Sequence, residues 1–235
     1  MKIEIWSDVI CPFCYIGKRN FETALKDFDE KEELEIIWKS FQLDPQMPDT
    51  PIESYVDYLV KNKGMSKEQV ETMLENVTNS AKQVGLDYNF DQSKLVNTAK
   101  AHQLIQFAKT KGLDDAIEEK LFSAFFTEGK NIADTETLIE LGNAIGLEKE
   151  AIESALNDEQ YKDLMNKDIQ EARAIGVTGV PFFVFNRKYA VSGAQPPQAF
   201  LETLNKSFGE WRAENPKINL EISQGESCGI DGKCD

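Results

Sequence analysis

Polar and apolar residues alternate along Lys2-Ile3-Glu4-Ile5-Trp6-Ser7, and Leu34 to Phe41 is rich in β-branched and aromatic residues, so both stretches predict strands. Between them, Pro12 to Phe28 brings Ile16, Asn20, Phe21, Ala24, Leu25 and Phe28 close to one stripe of a helix, which Asp29-Glu30-Lys31-Glu32-Glu33 ends in a solvated turn. The prolines of Asp44-Pro45-Gln46-Met47-Pro48-Asp49-Thr50-Pro51 then break the pattern, and a helical period takes over. Val70, Met73, Leu74, Val77, Ala81 and Val84 keep that period, Ser66 with Gln69 reads as a capping box, and Gly85, Gly112 and Gly146 fall where helices end. Strand character returns in Pro181 to Phe185, and Asn186-Arg187-Lys188 turns it into Tyr189 to Ser192 as a hairpin. A last helix begins near Pro196 or Pro197 and runs to about Trp211. The order is β-α-β, a helical insertion, then α-β-β-α, an α/β fold without internal repeats.

Composition narrows the class. A chain of 235 residues with 41% hydrophobic content buries a substantial core. No window approaches 18 consecutive apolar residues, and Glu4 and Asp8 interrupt the apolar run that a signal peptide needs, so a soluble cytoplasmic protein is expected. The formal charge of −15 repels phosphate backbones and anionic lipid, which argues against nucleic acid and membrane partners.

The four cysteines form two close pairs, Cys11 with Cys14 and Cys228 with Cys234. In a reducing compartment, close pairs point to catalysis or metal binding rather than to a disulfide scaffold. Cys11-Pro12-Phe13-Cys14 lies where the first strand ends and the first helix begins. With Pro12 as first helical residue, Cys11 is the N-cap and its sulfur faces the backbone N–H groups of Phe13 and Cys14, which favour a thiolate. Cys11 is then the nucleophile and Cys14 the resolving thiol. The Pro-Phe pair is uncharged, so an extreme oxidant is not expected. Pro12 and Phe13 face the substrate, Phe13 offering an apolar contact. The competing reading is a zinc knuckle built from both cysteine pairs; because zinc knuckles sit in short Gly-rich turns, no metal is assigned.

With these residues in view, the chain resembles the DsbA family of thioredoxin-fold proteins, and its FrnE-like branch more closely. The resemblance rests on Trp6-Ser7-Asp8-Val9-Ile10-Cys11-Pro12-Phe13-Cys14-Tyr15-Ile16-Gly17-Lys18-Arg19, on Ala101-His102-Gln103-Leu104, on Gly176-Val177-Thr178-Gly179-Val180-Pro181-Phe182-Phe183 and on Ser192-Gly193-Ala194-Gln195. It implies a thioredoxin-like domain from residues 1–45 and 171–213, interrupted by an all-helical insertion at 46–170, with a tail at 214–235. It also implies that Val180-Pro181 is a cis peptide facing the cysteines and that the backbone of Val180 pairs with an extended substrate. Kappa-class glutathione transferases and 2-hydroxychromene-2-carboxylate isomerases resemble the same architecture with serine as nucleophile. In those enzymes an Asp-Arg pair at the last helix holds glutathione, whereas here the turn reads Gly193-Ala194-Gln195-Pro196, and both cysteines are intact.

The function expected is thiol-disulfide exchange, oxidoreductase or isomerase, on protein or peptide disulfides, without a cofactor; a glutathione mixed disulfide is a second substrate the chemistry admits, and a glutathione-dependent transferase or isomerase is the alternative. Trp6 is expected in the core. Asp8 reads either as a proton relay for Cys14 or as a backbone cap. His102, the only histidine, reads either as packing or as a group beside Cys11. Cys228 and Cys234 read as a second redox pair, a clasp or a metal-binding tail. A tail beyond Trp211 reaches about 55 Å when extended, against a radius of gyration of about 18 Å for a chain this long, so the active site is within its range.

Overall fold

The computed structural model describes residues 1–52 and 54–217. β1 (Lys2–Ser7) leads through α1 (Pro12–Lys26) and a short 3-10 turn to β2 (Glu35–Ser40), and seven helices follow. They are α2 (Tyr55–Lys63), α3 (Lys67–Gln83), α4 (Ala99–Lys109), α5 (Asp114–Phe126), α6 (Thr135–Asn143), α7 (Lys149–Leu156) and α8 (Glu159–Ala174). The hairpin β3 (Phe182–Phe185) and β4 (Tyr189–Ser192) and the helix α9 (Pro197–Glu214) complete the described chain.

The strands form one sheet in the order β2-β1-β3-β4. β1 and β2 are parallel, with Ile5 opposite Trp38, which requires the crossover that α1 supplies. β3 runs antiparallel to β1, with Ile5 opposite Phe183, and pairs with β4 in the hairpin. The alternation in β1 separates two buried faces rather than a core from solvent. Ile3 and Ile5 pack with Phe21, Phe183, Phe185, Phe200 and Leu204 beneath α1 and α9. On the opposite face, Trp6 packs with Ala172 of α8, Val177 and Val184, and its indole N–H donates to Asp168 O at 2.9 Å. Glu4, only 3% exposed, is held there by Arg187 and by Lys39 at 3.6 Å, so its charge is paired where solvent is excluded.

The helix boundaries have local causes. Ser66 and Gln69 close a reciprocal capping box at the start of α3, and Gly85, Gly112 and Gly146 take φ of 78°, 68° and 90° beyond helix ends. α4 is buried from Ala101 through Ala108, the condition of a helix enclosed on every side. The apolar cluster around it includes Phe122, Phe125 and Phe126, and it continues into Val9, Ile10, Cys11, Cys14, Tyr15 and Ile16. The cysteine turn is therefore part of the helical region's core while being covalently the end of the sheet's central strand.

Candidate active site

The turn after β1 is closed by Cys11 N–H donating to Asp8 O at 2.9 Å, and Cys14 N–H donates to Cys11 O at 3.0 Å as α1 begins. Pro12 occupies the first helical position, where its missing N–H costs nothing. Cys11 is the N-cap residue, but its side chain makes no capping bond. Its Sγ instead donates to Val180 O at 3.4 Å. The sulfur expected over the N–H groups of Phe13 and Cys14 thus points across to the neighbouring loop; the Cys14 N–H is already satisfied by the Cys11 carbonyl, a stronger acceptor than a thiol.

The loop that meets Cys11 is fixed against α1. The Val180–Pro181 peptide is cis. Pro181 O accepts from Gly193 N–H at 2.8 Å, and Asn20 Nδ2 donates to Gln195 O at 2.9 Å, tying the Ser192-Gly193-Ala194-Gln195 turn to the same helix. Gly17 makes the approach possible: a Cβ there would lie 3.0 Å from Pro181 Cγ.

Both cysteines are free thiols, and their exposures differ little, 4% for Cys11 and 1% for Cys14. Burial, and then the adjacent Cys11 sulfur, push the Cys14 thiol well above the ordinary cysteine range, so Cys14 stays protonated at neutral pH. Ser7, whose buried Oγ has no oxygen or nitrogen partner among the described residues, lies beside it.

Beneath the turn, Asp8 and His102 are both fully buried. One Asp8 carboxylate oxygen accepts from Leu43 N–H at 2.7 Å and the other lies 3.3 Å from His102 Nε2. Asp8 thus caps a backbone N–H, and His102 contacts Asp8 rather than Cys11; its Nδ1 has no partner among the described residues. The helices also cover the turn directly. Tyr88 donates to Pro12 O at 2.7 Å and Tyr55 to Ile10 O at 3.3 Å, and Tyr15 stacks on Phe122 with centroids 4.8 Å apart. Tyr15 and Arg19 hold Glu119 of α5, the former at 2.5 Å and Arg19 Nη1 at 2.9 Å. Close by on α5, Glu118 is 1% exposed with Oε2 unpartnered among the described residues, and burial pushes its carboxyl well above the usual range.

Cys11, Cys14, Pro12, Val180 and Pro181 are brought together, with His102 one residue removed through Asp8. Phe13 points outward at 46% exposure. Cys228 and Cys234 lie outside the described residues. Pattern reading missed Ser7, Gly17, Tyr88 and Glu118. A glycine inside a helix signals close packing and marked Gly17, whereas nothing local marks Tyr88 or Glu118. Among the described residues, no group of three or more His, Cys, Asp or Glu is placed to hold a metal, and no helix is long and apolar enough to cross a membrane.

Comparison with known proteins agrees with this geometry. The chain is 30% identical over 184 residues to the uncharacterised protein YwbO of Bacillus subtilis, covering 77% of this chain and 85% of that one. Its structure is similar to a probable DsbA oxidoreductase from Streptomyces coelicolor, with a TM-score of 0.84, 35% identity, and 100% and 98% of the two chains covered. It shares its fold with the cytosolic disulfide reductase DsbM of Pseudomonas aeruginosa at a TM-score of 0.64 and 16% identity, over 89% of this chain and 100% of that one. The profile of DSBA-like thioredoxin domains matches residues 2–205, and the chain belongs to that family of thiol-disulfide oxidoreductases.

Proposed function

We propose that the protein exchanges disulfides with extended protein or peptide substrates in the cytoplasm through Cys11 and Cys14, without a cofactor. The observation that carries this reading is the position of Cys11 Sγ, 3.4 Å from Val180 O, with Cys14 protonated beside it. A substrate strand pairing with the Val180 backbone presents its sulfur beside Cys11.

In the reducing direction, the Cys11 thiolate attacks one sulfur of the substrate disulfide, the S–S bond breaks, and the second substrate sulfur leaves as a thiolate. Cys14 gives up its proton, which neutralises a departing thiolate, and attacks Cys11 Sγ. The mixed disulfide breaks, a Cys11–Cys14 disulfide forms, and the substrate leaves with both sulfurs reduced and two electrons gained. The reverse sequence oxidises a substrate dithiol, and the couple's potential against that of the compartment sets the direction. Keeping Cys14 protonated until Cys11 is bridged prevents both sulfurs from ionising together.

The Gly193-Ala194-Gln195 turn lacks the Asp-Arg pair that would seat glutathione in a transferase, and it is bonded to α1 through Asn20. Glutathione therefore enters this reading as a mixed-disulfide substrate. A Cys14→Ser variant incubated with a peptide disulfide is expected to accumulate a Cys11–peptide adduct, visible by intact mass. Cys11→Ser is expected to give none. Turnover of an electrophile with glutathione by the Cys14→Ser variant would instead establish the transferase.

A further inference from the structure

α3 stands as a ridge beside the cysteine turn, with a different cleft along each flank. One cleft, of about 590 Å³, is floored by Phe13, Met65, Met73 and Val77. Phe13 is the exposed residue of the cysteine motif, so this apolar cleft begins at that motif. Methionine side chains adapt to apolar groups of different shapes. The other cleft, of about 660 Å³, carries Glu68, Glu71, Glu75 and Asp91, with Lys82 opposing them, and reaches Tyr88, whose hydroxyl holds Pro12 O. Glu68, Glu71 and Glu75 are exposed, and among the described residues the one salt bridge the three make is that of Glu71 with the exposed Lys67, at 3.9 Å. Glu68 also lines the apolar cleft, so the two environments meet along the ridge.

Resting on the oxidoreductase reading above, we propose that this ridge selects the substrate: a polypeptide cysteine followed by an apolar side chain, which fills the Phe13–Met73 cleft, and by a lysine or arginine, which meets the glutamates. Glu68 to Glu75 spans about 10 Å along the helix, roughly three residues of an extended chain, so the basic residue belongs within about three positions of the apolar one. Charge decides between this occupant and a second copy of the protein. A chain of net charge −15 is repelled by the glutamate edge, whereas a basic segment is drawn to it.

The test uses the unaltered protein, with reduced glutathione as the electron donor that returns Cys11 and Cys14 to thiols, and four substrates: hydroxyethyl disulfide as the neutral small reference, and three otherwise identical peptide mixed disulfides carrying Leu with Arg, Leu with Glu, or Ser with Arg after the cysteine. Filling the apolar cleft is expected to raise kcat/KM about tenfold for the Leu-Arg over the Ser-Arg peptide. Arg over Glu is expected to give about threefold, shrinking as salt is raised from 0.05 to about 0.5 M. Met73→Ser is expected to reduce the Leu-to-Ser ratio, and the combined Glu68→Gln, Glu71→Gln and Glu75→Gln variant the Arg-to-Glu ratio. Equal rates for the three peptides, with hydroxyethyl disulfide still turned over, would overturn the selection while leaving the oxidoreductase reading intact. No turnover of any substrate would overturn both.

Discussion

The core beneath α1 and α9 and the core beneath the cysteine turn use the same kinds of apolar residue to different ends. On the sheet side, Ile3, Ile5, Phe21, Phe183, Phe185, Phe200 and Leu204 pack on one another, Phe183 and Phe200 meet edge to face at 4.6 Å, and the buried Ser207 finds a partner in Met1 Sδ at 3.3 Å. On the helical side, Asp8, His102 and Glu118 are as deeply buried as the phenylalanines around them. Burying polar groups costs stability unless each finds a partner, and here Glu118 Oε2 and His102 Nδ1 have none among the described residues. The sheet side thus supplies the platform, and the helical side carries the polar groups that lie near the reacting sulfurs.

Three substitutions sharpen that contrast. Phe200→Ala, on the platform, is expected to lower stability by about 3–5 kcal/mol in urea unfolding while leaving the order of alkylation of the two cysteines unchanged. A reversal of that order would make the platform part of the site's chemistry. Gly17→Ala, at the join, places a methyl against Pro181 and is expected to cost about 1–3 kcal/mol, with a slower rate of mixed-disulfide formation on Cys11. Loss of stability without any kinetic change would show that the loop facing Cys11 tolerates displacement.

The smallest effect is a pH dependence. Burial raises the folded-state pKa of Glu118, so below the unfolded carboxylate value of about 4.3 the group is protonated in both states and adds no pH-dependent cost. As pH rises above that value, the unfolded chain releases the proton first, and stability falls until the raised folded pKa is passed. Glu118→Gln is therefore expected to be more stable than the parent by about 1 kcal/mol near neutral pH, with the gain vanishing in acid. Urea unfolding at both pH values reads this directly, and a gain independent of pH would assign the effect to packing.

What could be read from the chain followed the range of the interactions. The strands, the helix after Cys11, the capping box at Ser66 and the hairpin after Phe185 all depend on neighbours a few residues away. Their signals lie in spacing and in turn residues. The alternation in β1 was legible, but not that both of its faces are covered, because the cover on Glu4 comes from Arg187 and Lys39, far away in the sequence. The direction of the Cys11 sulfur depends on Val180, 169 positions away, and so does not follow from the N-cap position alone. Tyr88 over Pro12 and Glu118 near the motif are placed by helix packing, which periodicity does not order. His102 was legible only as a choice between packing and chemistry, and its contact with Asp8 belongs to tertiary structure.

The measurement that tests the central claim most directly is a glutathione redox titration of the full chain, read by alkylation and intact mass so that Cys11, Cys14 and the Cys228–Cys234 pair are followed separately. Cys11 and Cys14 are expected to titrate together as one two-electron couple, with Cys11 alkylated well before Cys14 in the reduced protein. Failure of the two sulfurs to pair at any ratio of reduced to oxidised glutathione, or a mass carrying bound zinc, would contradict the account.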